Sequence, residues 1–135
     1  MAVLRAGAPG AKDRLIVVGV GVVGMRTAVV IRKLGYHGHI TLIGTELHRT
    51  YDRPLLSKAV LGGEADDATI EVDWARLDAE LRLGETACRL HETGVETEGG
   101  RRYDGDAVAL ATGAAPNRLP GAPHRVLRTI DHQYT

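Results

Sequence analysis

Apolar residues run without interruption from Leu15 to Val18 and resume at Val20, and most of them are β-branched. A run of this kind predicts a strand over 15–20 buried on both faces, as in a parallel sheet. Glycines 19, 21 and 24 then punctuate the chain. In VVGMRTAVVIRKL, residues 22–34, apolar Val22, Met25, Val29 and Val30 are spaced among the charges of Arg26, Arg32 and Lys33. That pattern predicts a helix closed by Gly35. HITLIG, 39–44, predicts a second strand through Ile40, Leu42 and Ile43. Strand, tight turn, helix and strand within about thirty residues make a βαβ unit.

Beyond it the periodicity breaks. GTELHRTYDRPLLSK, 44–58, fits neither an ordinary helix nor a strand. Residues 55–61 suit one or two helical turns, and GGEADD, 62–67, a polar loop that turns Asp66 and Asp67 to solvent. DWARLDA, 73–79, predicts a short helix capped by Asp73. AELRLG and ETACRLH, 79–84 and 85–91, predict a strand, a break and a strand. GVETEGGRRY, 94–103, predicts a hairpin turning at Gly99-Gly100. DAVALATGA, 106–114, predicts a buried strand ending in a glycine turn, and the proline-rich APNRLPGAPH a linker. The fold class is therefore α/β, a Rossmann-like dinucleotide-binding domain with a parallel sheet and a small β-hairpin or meander. Residues 1–13, rich in Gly, Ala and Pro, are expected to be a flexible arm, 14–115 the domain itself, and 116–135 a linker into something further.

Composition narrows the function classes. The 135 residues are 44% hydrophobic, enough for one core. Lys plus Arg number 17 and Asp plus Glu 17, so no basic excess exists to drive nucleic-acid or membrane-surface binding. The longest apolar run, 15–25, is too short and too rich in glycine to cross a bilayer, and no small-residue cleavage site follows it before Arg26. Cys88 is the only cysteine. An internal disulfide is excluded, a cytoplasmic setting is expected, and Cys88 itself is expected to be a small buried residue. His37 and His39 lack further ligands at metal-binding spacing.

The candidate chemistry lies in Gly19-Val20-Gly21-Val22-Val23-Gly24, a GxGxxG motif between a buried strand and a helix. Gly19 permits the turn, Gly21 lets a pyrophosphate approach the backbone, and Gly24 lets helix and strand pack closely. The amides of Val22 and Val23 at the helix N-terminus suit a phosphate anion. The alternative is a glycine turn of purely structural use. Ribose binding calls for an acidic residue about 20 positions on, and Glu46 stands there; a solvated loop glutamate is the competing reading, and Thr45 a weaker ribose candidate. Nothing in the βαβ unit alone separates FAD from NAD.

The stretch from Arg14 through YDRPLLSK to Glu64 resembles the N-terminal FAD-binding part of the FAD-dependent ferredoxin and rubredoxin NAD(P)H reductases. These serve cytochrome P450 and ring-hydroxylating dioxygenase systems, and apoptosis-inducing factor is a relative. ALATGAAPNRLPG resembles that family's second signature. The resemblance implies FAD as cofactor, with contacts from Gly19, Gly21, Val22, Val23, Gly24 and Glu46. It also implies that Arg53 touches the FAD, that Lys58 lies beside the flavin, that the Ala87 backbone meets the adenine, and that Thr112 and Gly113 pass near the cofactor. It implies an iron–sulfur, ferredoxin-like electron acceptor. This chain departs from the family at Asn117, where a basic residue is usual and Arg118 follows, and at Leu55, where a second proline is common. The NAD(P)H domain, the returning FAD segment and the interface domain are expected to be absent. An FAD-binding reductase domain is one reading. A non-catalytic module, or half of a split reductase that pairs with a complementing chain or a second copy through its sheet edge, is the other.

Overall fold

The computed structural model describes residues 2–5, 13–60, 62–64, 68–117, 120–121 and 126–131. It divides into two units, one drawn from Met1–Thr50 and Val72–Gly113, the other from Tyr51–Glu71 and Ala114–Thr135.

The first unit is built on a five-stranded sheet. Its strands are β1 (Ala2–Arg5), β2 (Arg14–Val18), β3 (His39–Gly44), β4 (Ala79–Leu83) and β8 (Ala107–Leu110), in the spatial order β1-β8-β2-β3-β4. β8, β2, β3 and β4 run parallel. Leu15 pairs with Ile40 and Val17 with Leu42, so like residues stack in register. Successive side chains of a strand point to opposite faces, and the two faces carry separate cores. Leu15, Val17, Ile40, Leu42 and Ala109 pack with Ala28 of α1 (Val22–Lys33) and Leu77 of α3 (Trp74–Leu77). Ile16, Val18, Ile43 and Val108 pack with Val95 from a second, three-stranded sheet. That sheet has the order β5-β6-β7, with β5 at Ala87–His91, β6 at Gly94–Thr97 and β7 at Arg102–Asp104. The β-branched run at the start of the chain is thus buried on both faces because helices cover one and a small sheet the other.

The predicted helix ends as its sequence indicates. Gly35 takes a φ of +87°, and its N–H bonds to the Arg32 carbonyl at 3.0 Å while the Tyr36 N–H reaches back to the Ile31 carbonyl at 3.1 Å. These paired bonds satisfy carbonyls that the helix leaves open. Asp73 caps α3, its carboxylate accepting the Arg76 N–H at 2.9 Å. Two expectations shift. Ala2–Arg5 pairs antiparallel with β8 where an arm is expected. The β-prone Val3 and Leu4 precede the Gly/Ala/Pro stretch, and the edge of β8 offers unpaired backbone groups to a strand. Residues 6–12 lie outside the described residues, as do Asp66 and Asp67. Cys88 is exposed, not buried. It sits on β5, where residues 88–90 are all exposed, and its thiol reaches the Glu96 carbonyl at 3.5 Å.

Tyr36 follows the α1 cap and donates its hydroxyl to the Asp13 carbonyl. Burial pushes this phenol above its ordinary pKa of 10.0; the Asp13 carboxylate adds to the rise and Arg32 offsets part of it. Folding therefore favours the protonated form. The associated stability is intact below pH 10.0 and is lost as pH rises through the folded-state pKa. Tyr36→Phe is expected to flatten the fall in urea midpoint on the alkaline side of that value; an unchanged alkaline slope would rule Tyr36 out as its source.

The second unit has a core of its own. Tyr51, Leu56 and Ala68 are buried, with Val60, Leu127 and Ile130 packed against them. Tyr51 bridges Thr69, and the Asp52 N–H bonds to the Ala68 carbonyl at 2.7 Å. Arg53–Leu55 makes a short helix, α2, entered through Pro54 near its start, and Leu56–Val60 continues it as a π-helical turn. The Tyr51 hydroxyl accepts from Arg53 Nη1 at 3.0 Å and from the Ile130 N–H at 3.2 Å. Tyr51→Phe takes one acceptor from Arg53 Nη1 and the acceptor of the Ile130 N–H, and is expected to cost this unit about 1–2 kcal/mol. Faster hydrogen exchange at the Ile130 amide is the readout, and unchanged exchange would refute the assignment.

Candidate functional site

β2 and β8 are sequence-distant neighbours at the centre of the parallel sheet. From β2 the chain moves outward through β3 to β4, then returns to the other side of β2 as β8. In open α/β sheets the binding crevice lies at the carboxyl ends of the strands where the order reverses. Here that point is the junction of the Gly19–Gly24 turn with the Ala111–Gly113 turn. The Gly19 N–H bonds to the Ile43 carbonyl at 2.7 Å and the Ala111 N–H to the Val18 carbonyl at 2.8 Å, so both turns are fixed to the sheet.

The three glycines divide the labour as their spacing predicts. Gly19 has a φ of +113°, and a Cβ there would overlap the Ala111 carbonyl and come within 3.4 Å of the Thr112 nitrogen. A Cβ on Gly24 would run into the Gly19 carbonyl oxygen and stand 3.3 Å from Val17 Cγ1. Gly21 differs: a Cβ would meet nothing within 4 Å. The protein's own packing does not require a glycine at 21, whereas a ligand seated against the backbone would.

Gly21 is also the N-cap of α1, with extended backbone and no side chain to offer. No acidic residue stands in the first turn, and Arg32 and Lys33 occupy the last. The first intrahelical bond runs from the Met25 N–H to the Gly21 carbonyl at 3.0 Å, which leaves the amides of Val22, Val23 and Gly24 without helical acceptors. Val22 and Val23 are exposed. A 12-residue helix therefore presents its partial positive charge and donors at an open glycine.

Glu46 is half-buried just beyond β3. The Gly84 N–H donates to its carbonyl at 3.1 Å, and the Glu85 N–H to that of Gly44 at 3.0 Å, tying the loop to the end of β4. Ala87 opens β5, partly buried against the core face that holds Ile16 and Val18. Thr112 and Gly113 are exposed, with Gly113 at a φ of +74°. The first unit thus brings Gly19–Gly24, Thr112 and Gly113 to one end of the sheet. The second unit holds Arg53 and Lys58. Arg53 Nη1 donates to the Tyr51 hydroxyl and to the Arg128 carbonyl at 2.6 Å, and its guanidinium lies 5.0 Å from the Tyr51 ring centre. Lys58 is exposed on the π-helical turn. Arg118 lies outside the described residues.

The family profile described as pyridine nucleotide-disulphide oxidoreductase matches residues 13–135. The chain belongs to this family. Among family members it is 38% identical over 113 residues to the ferredoxin reductase component of chlorobenzene dioxygenase from Cupriavidus sp. (strain PS12), a match covering 78% of this chain and 28% of that protein. It is 32% identical over 130 residues to putidaredoxin reductase from Pseudomonas putida, covering 92% of this chain and 31% of that one. The crystal structure of Fdr9 superposes with a TM-score of 0.82 at 39% identity, covering 90% of this chain and 31% of its own. The reductase in a covalent putidaredoxin reductase–putidaredoxin complex does so at 0.82 and 30% identity, covering 93% and 33%. The chain spans about a third or less of the length of these relatives. The Rossmann-like fold expected from the βαβ pattern is the fold of the family's reductases.

The residue that sequence reasoning passed over is Thr50, outside the glycine motif in sequence but bonded to it. Its side chain is buried, and its hydroxyl donates to the Val20 carbonyl, inside the motif, at 2.7 Å. A threonine in a loop of mixed polarity carries no spacing signal. Only the structure reveals that it points inward.

Proposed function

We propose that the chain is an FAD-binding domain of a ferredoxin-type NAD(P)H reductase. The observation that carries this reading is the open space at Gly21 between two glycines where an added Cβ would strike backbone atoms. A diphosphate fits such a seat: amide donors face it, the helix dipole favours it, and no side chain blocks it. Residues 14–115 are the FAD-binding domain, with Ala2–Arg5 added to the edge of its sheet, and 116–135 are a linker.

The residue roles follow from their chemistry. The amides at Gly21, Val22, Val23 and Gly24 hold the diphosphate. Glu46 accepts from the ribose hydroxyls. Gly19, Thr112 and Gly113 keep the backbone close to the cofactor, and the Ala87 backbone meets the adenine. Arg53 contributes a guanidinium to the FAD, and Lys58 a cation beside the flavin, where negative charge is favoured. FAD supplies the hydride and electron chemistry when bound, and the chain's residues bind and orient it. The electron acceptor is a ferredoxin-like iron–sulfur protein, a reading supported by relatives named as ferredoxin reductase components and by the putidaredoxin complex. Among the described residues no helix is long and apolar enough to cross a membrane. A cytoplasmic setting is proposed, supported by the single, unpaired cysteine.

Titration of the purified chain with FAD tests the reading. Saturable binding with a shifted, structured visible spectrum is expected. A colourless protein that takes up no added FAD at micromolar concentration would refute it.

A further inference from the structure

We infer that Thr50 is a positioning residue, a latch that sets the direction of the Val20–Gly21 peptide and so aims the Gly21 N–H at the diphosphate. The inference rests on the FAD reading above and deepens it. Thr50 is 1% exposed, although its neighbour Arg49 is exposed and Leu47 is 76% exposed. Its hydroxyl donates to the Val20 carbonyl at 2.7 Å. Val20 stands between Gly19 and Gly21, in the middle of the turn that opens α1.

The geometry of the peptide group does the rest. No peptide bond among the described residues is cis. In a trans peptide the C=O of one residue and the N–H of the next point in opposite directions. With the Val20 oxygen held by Thr50, the Gly21 N–H faces away from Thr50. Gly21 offers open space.

Without the latch, this peptide has an alternative. Turning it over changes ψ of Val20 and φ of Gly21, and a glycine accepts positive φ at little cost. Gly21 sits at a φ of −70°, so its present conformation is a choice that the residue itself does not enforce. The flipped peptide would present a carbonyl oxygen where the anion needs a donor. The rest of the turn cannot prevent this. Gly19 is held by its own N–H to Ile43, and the Val20 side chain is buried beside Gly44, but neither contact fixes the Val20 carbonyl. Thr50 therefore links the loop after β3 to the polarity of the glycine turn.

The test uses the full 135-residue chain with Thr50→Val, which keeps the shape and removes the donor, and Thr50→Ser, which keeps the donor. In the ligand-free protein, the Gly21 amide is expected to give one sharp NMR signal in the wild type and in Thr50→Ser. In Thr50→Val it is expected to split or broaden. A single unchanged Gly21 signal in Thr50→Val overturns the latch, whether or not FAD binds. Affinities for FAD and ADP are expected to fall about tenfold in Thr50→Val, with adenosine, which lacks the diphosphate, unaffected and Thr50→Ser near wild type. Equal losses for adenosine and ADP, or no rescue by serine, overturn it too. A wild-type chain that binds neither FAD nor ADP refutes the FAD reading, and the NMR comparison still decides the latch.

Discussion

Gly24→Ala is expected to lower the stability of the fold by about 3 kcal/mol, and the melting temperature by roughly 10 °C. The new methyl group would collide with the Gly19 carbonyl oxygen, a backbone atom that no rotamer change can move. Helix α1 cannot retreat to make room, because Met25 and Ala28 on the same face are 2% and 0% exposed against the sheet. Gly19 cannot yield either, since its N–H is bonded to Ile43 and the side of its Cα where a Cβ would stand faces the Ala111 carbonyl. Gly21→Ala is the informative companion. Its Cβ enters empty space and its backbone is one that alanine adopts, so the melting temperature is expected to stay within about 2 °C of the wild type. FAD affinity, in contrast, is expected to drop by at least about thirtyfold, because the methyl group occupies the diphosphate seat. Thermal melts and FAD titrations of the two variants separate the roles. A Gly21→Ala protein that binds FAD normally would move the diphosphate away from the turn, and a Gly24→Ala protein with wild-type stability would contradict the packing.

How much of this was legible beforehand depends on the distance over which each feature is encoded. β3 matches its predicted bounds of 39–44, and α1 ends one residue early, because hydrophobic period and a C-terminal glycine are local signals. β2 stops at Val18, two residues before the apolar run does; Val20 is buried but belongs to the turn. Apolar composition reports burial and leaves the hydrogen-bonding pattern open. GTELHRTYDRPLLSK was harder. Its missing periodicity suggests a segment ordered by a cofactor. Yet Tyr51 and Leu56 are core residues that pack with Ala68, Leu127 and Ile130, partners from 12 to 79 positions away from Tyr51 or Leu56. A core assembled from two distant stretches leaves no period in either one. Cys88 shows the opposite failure: its type favours the interior, but it lies in the middle of β5, where the residues are exposed.

Arg32 reads in sequence as one of several charges on the solvent side of a helix, and the structure gives it an internal task. Its Nε donates to the Leu77 carbonyl at 2.9 Å, Nη1 to those of Tyr36 at 2.9 Å and Gly38 at 2.7 Å, and Nη2 to that of Asp78 at 2.8 Å. Those four carbonyls come from the end of α3 and from the turn between α1 and β3, and the guanidinium also lies 5.7 Å from the Tyr36 ring centre. One planar group thus ties the C-terminus of α1 to two neighbouring segments. Arg32→Met keeps the aliphatic stem and removes every donor. Partly buried carbonyls lose charge-assisted bonds, and the expected cost is about 3–4 kcal/mol by urea unfolding with the m-value unchanged. Arg32→Lys is expected to recover less than half of that loss, because an ammonium cannot reach four divergent acceptors in the plane of a guanidinium. A loss below about 1 kcal/mol for Arg32→Met would mean that water replaces the guanidinium at these carbonyls. In that event the helix end would be held by its glycine cap and by Tyr36 alone.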